Sequence, residues 1–389
     1  MTKEDSFFIG VLTDHLTKKK TAPQHNLDWQ RISYLSQTHQ VGGIVFYQCR
    51  DFIPDNLKSI FNKQYLASIF SHANYTTENE KIEKAFHEHG IEMFTVKGLE
   101  IAKYYPYPAL RTMGDIDIVV HTSERKEADE ILHQFQYESL SHREDKEWEY
   151  YKRGTMIELH NCLVYNQVIN KEEIEKFFNT CWLYVKDGKP DVSFHFLFLL
   201  EHLRRHLLNS GAGFRQFMDI ALMSRGEMAL NWEWIDEKLK ELKLTDFSSV
   251  CFSLIQRWFG ITTPIKLMDI DEDFYQYATE QILSNGVFGF DNPENTVNAA
   301  VNAARKDKIH VVGMIKGALK YIFPSYQDLS DKKFYPYLIG RPYLLPISWV
   351  HRLIRGIWNF RRAKRNMRLR FASSNTIQKR DEYLKKWKL

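Results

Sequence analysis

Asp115 and Asp117 lie two residues apart in an otherwise apolar run, GDIDIVV. If that run is a strand, its two-residue period puts both carboxylates on one face and Ile116 and Ile118 on the other. Two negative charges so close repel, and one takes up a proton unless a cation lies between them. Hard oxygen donors of this kind suit Mg²⁺. A third acid, Glu158, sits in MIELH, where Ile157 and Leu159 share one strand face and Glu158 and His160 the other. Taken singly, a DxD pair at a strand edge or a strand glutamate is as well explained by contact with water. Taken together they matter more, because two divalent ions roughly 4 Å apart need about three carboxylates to hold them.

Two further residues stand close to these acids. Arg111 follows the Pro-rich turn YPYPALR just before the pair and could reach phosphates or an acidic side chain, with a surface arginine as the plain alternative. His160 could hydrogen-bond a metal ligand or a phosphate, or could be a half-buried strand histidine. His195, His202 and His206 are spaced i, i+7 and i+11 along one helical stripe. No HExxH glutamate lies between them, so core or capping roles are the favoured reading. Arg215 and Asp219, four apart, read as an ion pair along a helix.

The elements that must position these groups are legible from periodicity. Amphipathic stretches over DWQRISYLSQTHQV and PDNLKSIFNKQYLASIFSHA, then the charged helix TENEKIEKAFHEHG ending at Gly90, mark residues 1–90 as a helical N-terminal lobe. The pattern then changes. IEMFTVKG alternates, LEIAKYY is a short helix, DIDIVV a strand, and SERKEADEILHQF a helix with Ser123 as its N-cap. YESLSH, EWEYYKR and TMIELHNCLV add strands, giving a small mixed sheet over residues 91–170. Residues 171–330 read as a second helical lobe, interrupted by a hairpin with Asp187-Gly188 at its turn. Residues 331–389 form a basic tail. The fold class expected is α+β, with a small mixed sheet flanked by helical lobes.

Composition narrows the class of molecule. The 389 residues are 44% hydrophobic and 14% aromatic, which favours a packed globular chain over disorder. The N-terminus is a poor secretory signal, and no window approaches the roughly 18 apolar residues that span a bilayer, so a cytoplasmic protein is expected. The four cysteines, Cys49, Cys162, Cys181 and Cys251, form no CxxC pair, and reduced thiols are expected. From Arg341 onward there are fourteen Lys/Arg against two acidic residues. Trp349, Leu353, Ile357 and Phe360 fall on one helical stripe there, so peripheral contact with the inner membrane surface is one reading and a packed helix with solvated cations the other. No nucleic-acid-binding module is recognisable.

Together the quoted segments resemble the polymerase-β-like nucleotidyltransferase superfamily. VKGLEIAKYYPYPALRTMGDIDIVV, then MIELH, then HLRRHLLNSGAGFRQFMDIALM, look more closely like a poorly characterised bacterial nucleotidyltransferase family with a KG…R…DIDhhV…hEhH pattern, over roughly residues 85 to 225. The resemblance implies a nucleoside triphosphate substrate, two Mg²⁺ ions, and transfer of a nucleoside monophosphate to an unknown acceptor with release of pyrophosphate. It also implies that Asp115 and Asp117 coordinate both ions and Glu158 one, and that Arg215 contacts the triphosphate. One departure is Val96-Lys97-Gly98-Leu99, where many members have glycine followed by serine or glycine. Gly98 would still let the backbone approach a triphosphate and Lys97 would add a direct charge, the plain alternative being a glycine that simply ends a strand and a surface lysine. The alternative is a non-catalytic nucleotide-binding or partner-binding protein that keeps the acidic site.

Overall fold

The computed structural model of the protein describes residues 1–142, 147–164, 171–225, 229–287, 298, 301, 323–329, 335–358 and 374–389. It opens on four helices, α1 (Lys3–Leu16), α2 (Trp29–Thr38), α3 (Gly42–Cys49) and α4 (Asp55–Glu88). A capping box between Thr2 and Asp5 starts α1, and Asp28 caps α2. The two helical segments expected over 54–73 and 77–90 are one helix of 34 residues. No glycine or proline falls between Asp55 and Glu88, so nothing interrupts it. It stops at Gly90, whose φ of +74° is the left-handed turn that releases a helix end.

The sheet comprises β1 (Met93–Val96), β2 (Ile116–Val120), β3 (Glu138–His142), β4 (Trp148–Lys152) and β5 (Thr155–His160), in the order β1-β2-β5-β4-β3. Only β2 and β5 run parallel, which makes the sheet mixed and confirms the α+β class. Helix α5 (Gly98–Ala102) joins β1 to β2, and α6 (Arg125–Gln134) joins β2 to β3. Ser123 is not the cap of α6: Glu124 holds that position without a side-chain cap bond. The backbone turns one residue later than the serine, where Glu124 N–H donates to the carbonyl of His121.

Strand alternation splits the sheet's buried side chains between two cores. Ile116, Ile118, Val120, Ile157 and Leu159 pack with Tyr75, Ile82 and Phe86 of α4 and with Ile131 and Leu132 of α6. Phe94, Val96 and Val119 point the other way, into the helical core. Polar bonds pin α4 across the first face: Tyr75 Oη donates to the Gly114 carbonyl at 2.8 Å, and Glu78 takes Tyr137 Oη and Lys152 Nζ. The face carrying Asp117, Glu158 and His160 is thereby turned toward the helices beyond the sheet.

Those helices are α7 (Lys171–Asn179), α8 (Val192–Leu208), α9 (Phe214–Met223), α10 (Trp232–Glu241), α11 (Thr245–Phe259) and α12 (Glu272–Asn285). The expected hairpin forms as β6 (Val185–Lys186) and β7 (Lys189–Pro190) around Asp187-Gly188. Helices from before and after the sheet share one apolar core: Phe8 of α1 meets Phe214 of α9, and Thr13 Oγ1 donates to the Trp258 carbonyl. The final helix, Ser374–Lys386, leads Tyr383, Leu384 and Trp387 into that core, where Trp387 packs on Phe217 and Phe274. Burying side chains of this size stabilises the fold by about 1.5–3 kcal/mol each.

A helix over Leu345–Trp358 bears Trp349, whose indole N–H donates to the Pro324 carbonyl, while Ile347 and Val350 are exposed. Phe360 and the basic run 359–373 lie outside the described residues, as do the side chains of Leu353 and Ile357. All four cysteines are free thiols. Among the described residues no helix is long and apolar enough to cross a membrane.

Candidate active site

Register decides which acids meet. In the parallel β2–β5 pair Asp117 stands directly beside Glu158, and in the antiparallel β1–β2 pair it faces Val96. Residue 97 therefore leaves β1 level with Asp117. Lys97 Nζ reaches Asp117 Oδ1 at 2.6 Å, and His160 Nε2–H donates to the same oxygen at 3.0 Å. His160 Nε2 is also 3.4 Å from Glu158 Oε2. One ligand atom from each of Asp117, Glu158 and His160 lies within 4.8 Å of the others. Asp115 precedes β2, half-buried and outside that closest set, but its charge acts on Asp117, Glu158 and Lys97.

The charges in this cluster are strongly coupled. Burial, then the charges of Asp117 and Glu158, push the Asp115 carboxyl up to about 7 against the pull of Lys97 and Arg215. Burial would raise Asp117 too, but the Lys97 charge and the His160 hydrogen bond hold it well below the usual carboxylate range. Burial opposes protonation of His160, yet its bonds to Asp117 and Glu158 outweigh that and carry it up to about 9. His160 turns Nε2 to both acids, and the carboxylate oxygens beside it match a hard divalent cation. His160 Nδ1 is buried without a hydrogen-bond partner.

Lys97 and Gly98 form the turn beside the acids. A side chain at Gly98 would press on the Asp115 carbonyl, which a Cβ would meet at 3.3 Å, so glycine lets the turn lie against β2. Lys97 adopts φ +58° and ψ −121°, a region that glycine enters freely and lysine enters at a cost of about 1–3 kcal/mol. The departure noted in the sequence is thus a lysine held in glycine's conformation. Helix α5 is only five residues long, so Lys97 and backbone N–H groups would carry most of any phosphate contact.

Arg111 is committed elsewhere. Its Nε and Nη2 donate to Asp219 Oδ1 and Oδ2 at 2.9 and 2.8 Å, and its Nη1 to the Gly98 carbonyl at 3.0 Å. It therefore supports the turn from behind. Because Asp219 is taken by Arg111 and by Tyr105 Oη at 2.8 Å, the expected i, i+4 ion pair with Arg215 does not form. Arg215 Nη1 instead donates to Gln40 Oε1 and to the carbonyl and hydroxyl of Thr112, three residues before Asp115.

The histidine stripe on α8 turns out to border the site. His195 Nε2 accepts the Lys97 backbone N–H at 3.0 Å. Burial holds His195 down near 4, so it stays a neutral acceptor. His202 and His206 hydrogen-bond through their Nε2 atoms at 2.9 Å. Both are pushed down in pKa by burial and then by the charge of Lys97, which places them on the same side. Their i, i+4 spacing was visible in the sequence; the tie from His195 to a residue 98 positions away was not.

The family model for an uncharacterised nucleotidyltransferase matches residues 25–260, more than half the chain and the whole span from α2 to α11. No curated protein and no solved structure matches the chain. The matched span contains the sheet, its carboxylates and the helices that cover them, so this chain belongs to that uncharacterised nucleotidyltransferase family.

Proposed function

We propose that the protein transfers a nucleoside monophosphate from a nucleoside triphosphate to an acceptor hydroxyl or similar nucleophile, with Asp115, Asp117 and Glu158 holding two Mg²⁺ ions. The observation that carries this reading is the direct pairing of Asp117 with Glu158 on adjacent strands, with Lys97 against them. The donors fit the ions: they are carboxylate oxygens, close together, on a buried sheet face. When bound, such ions lower the acceptor's pKa and offset charge that develops on the phosphates.

The chain's own groups have separable tasks. Glu158, with 23% of its side chain exposed against 1% for Asp117, is more open to an acceptor than Asp117 and the better placed of the two to take its proton. The acceptor oxygen then bonds to the α-phosphorus, the bond from that phosphorus to the bridging oxygen breaks, and pyrophosphate leaves with the electron pair. Lys97, whose side chain is 19% exposed beside Asp117, is the chain's donor for phosphate oxygens. A triphosphate substrate sets this reaction in the cytoplasm.

Replacing Asp115 or Asp117 with asparagine tests the assignment. Mg²⁺-dependent pyrophosphate release should fall by about a thousandfold, as expected when several kcal/mol of transition-state stabilisation is lost. Undiminished release by both folded variants would reject it. Nucleotide binding without release across a broad acceptor panel would instead favour a non-catalytic nucleotide-binding role.

A further inference from the structure

Asp117 Oδ1, an oxygen a metal ion would need, already has two hydrogen-bond partners, the Lys97 ammonium at 2.6 Å and His160 Nε2 at 3.0 Å. The lysine is not there by chance of a flexible side chain. Its backbone is fixed in an unfavourable conformation by bonds on both sides of one peptide: His195 accepts the Lys97 N–H, and Arg111 donates to the Gly98 carbonyl. His195 is 3% exposed and Arg111 5%, so neither anchor yields readily. Strain that is held in place by several contacts marks a position the site requires.

We propose that Lys97 is a tethered counter-ion of the acidic cluster, which a divalent cation must displace from Asp117 and which then turns to the phosphates of the nucleotide. The inference rests on the nucleotidyl-transfer reading of the same site and adds a consequence to it. An ammonium and a divalent ion cannot share one carboxylate oxygen without strong repulsion. Metal alone therefore binds against Lys97. A nucleotide gives the displaced ammonium a new anionic partner, so metal and nucleotide tighten each other's binding, and by linkage the coupling is equal in both directions. His195 acts as a positioning residue through the Lys97 backbone.

Mn²⁺ titration of the full-length protein, followed by electron paramagnetic resonance with and without a non-hydrolysable triphosphate, tests this without recourse to turnover. Lys97→Met should bind Mn²⁺ about tenfold more tightly than wild type when nucleotide is absent, the direction expected from removing a like charge at contact distance. It should also lose most of the tightening that nucleotide gives the wild type. Should Lys97→Met fail to fold, His195→Leu, which frees the backbone but keeps the ammonium, should show the same change to a smaller degree. Equal or weaker Mn²⁺ binding by the folded variant would overturn the proposal. Asp117→Asn separates the two levels: if it leaves Mn²⁺ binding as in wild type, the active-site reading itself fails. If it abolishes binding while Lys97→Met changes nothing, only the counter-ion fails.

Discussion

Two charge clusters flank the Lys97–Gly98 peptide. Around Arg111, the guanidinium matches both oxygens of Asp219, Tyr105 adds a hydroxyl, and the remaining arm finds the Gly98 carbonyl. Around Asp117, Lys97 and His160 meet Asp117, His160 also lies near Glu158, the neighbouring Asp115 carboxyl is pushed up to about 7, and one imidazole nitrogen has no partner. The first cluster is complete within the chain, as structural ion pairs are; the second is left in need of cations and anions from outside. Completeness, more than burial or charge, separates the support from the site it supports.

The contrast is broken most forcefully at Arg111. Arg111→Met should cost about 3–5 kcal/mol in urea unfolding, because it strands the buried Asp219 carboxylate. Adding Asp219→Leu should recover part of that loss by removing the stranded charge. A double variant no more stable than Arg111→Met would show that the pair is not complete in itself.

The corresponding change in the other cluster should have the opposite sign and a pH signature. Asp115 has its folded pKa raised above the unfolded value, so the fold favours its protonated form. That contribution is full below about pH 4 and is lost as pH rises through about 7. With EDTA present, Asp115→Asn should melt on the order of 2 °C higher than wild type at about pH 8. The gap should close as the pH approaches about 4. A gap that ignores pH would mean that Asp115 is not under charge stress.

The sequence made the local parts of this arrangement readable. Alternation in DIDIVV and MIELH gave both strands and the shared face of Asp117 and Glu158, because strand geometry is written in neighbouring residues, whereas Asp115 lies just before β2. It did not reveal that β2 and β5 lie side by side in the register that joins Asp117 to Glu158, since pairing depends on the whole sheet. Nor could it foresee Arg111 choosing Asp219, 108 residues away, or His195 gripping Lys97. The uninterrupted α4 was readable in principle from its lack of Gly and Pro. The conformation of Lys97 was not, because lysine carries no preference for it.

The most direct test is a crystal of the protein with Mn²⁺ and a non-hydrolysable nucleoside triphosphate, examined by anomalous scattering. Manganese peaks should lie within coordinating distance of Asp117 and Glu158 carboxylate oxygens, with Lys97 moved from Asp117 to the phosphates. Nucleotide bound with manganese away from these carboxylates would contradict the assignment.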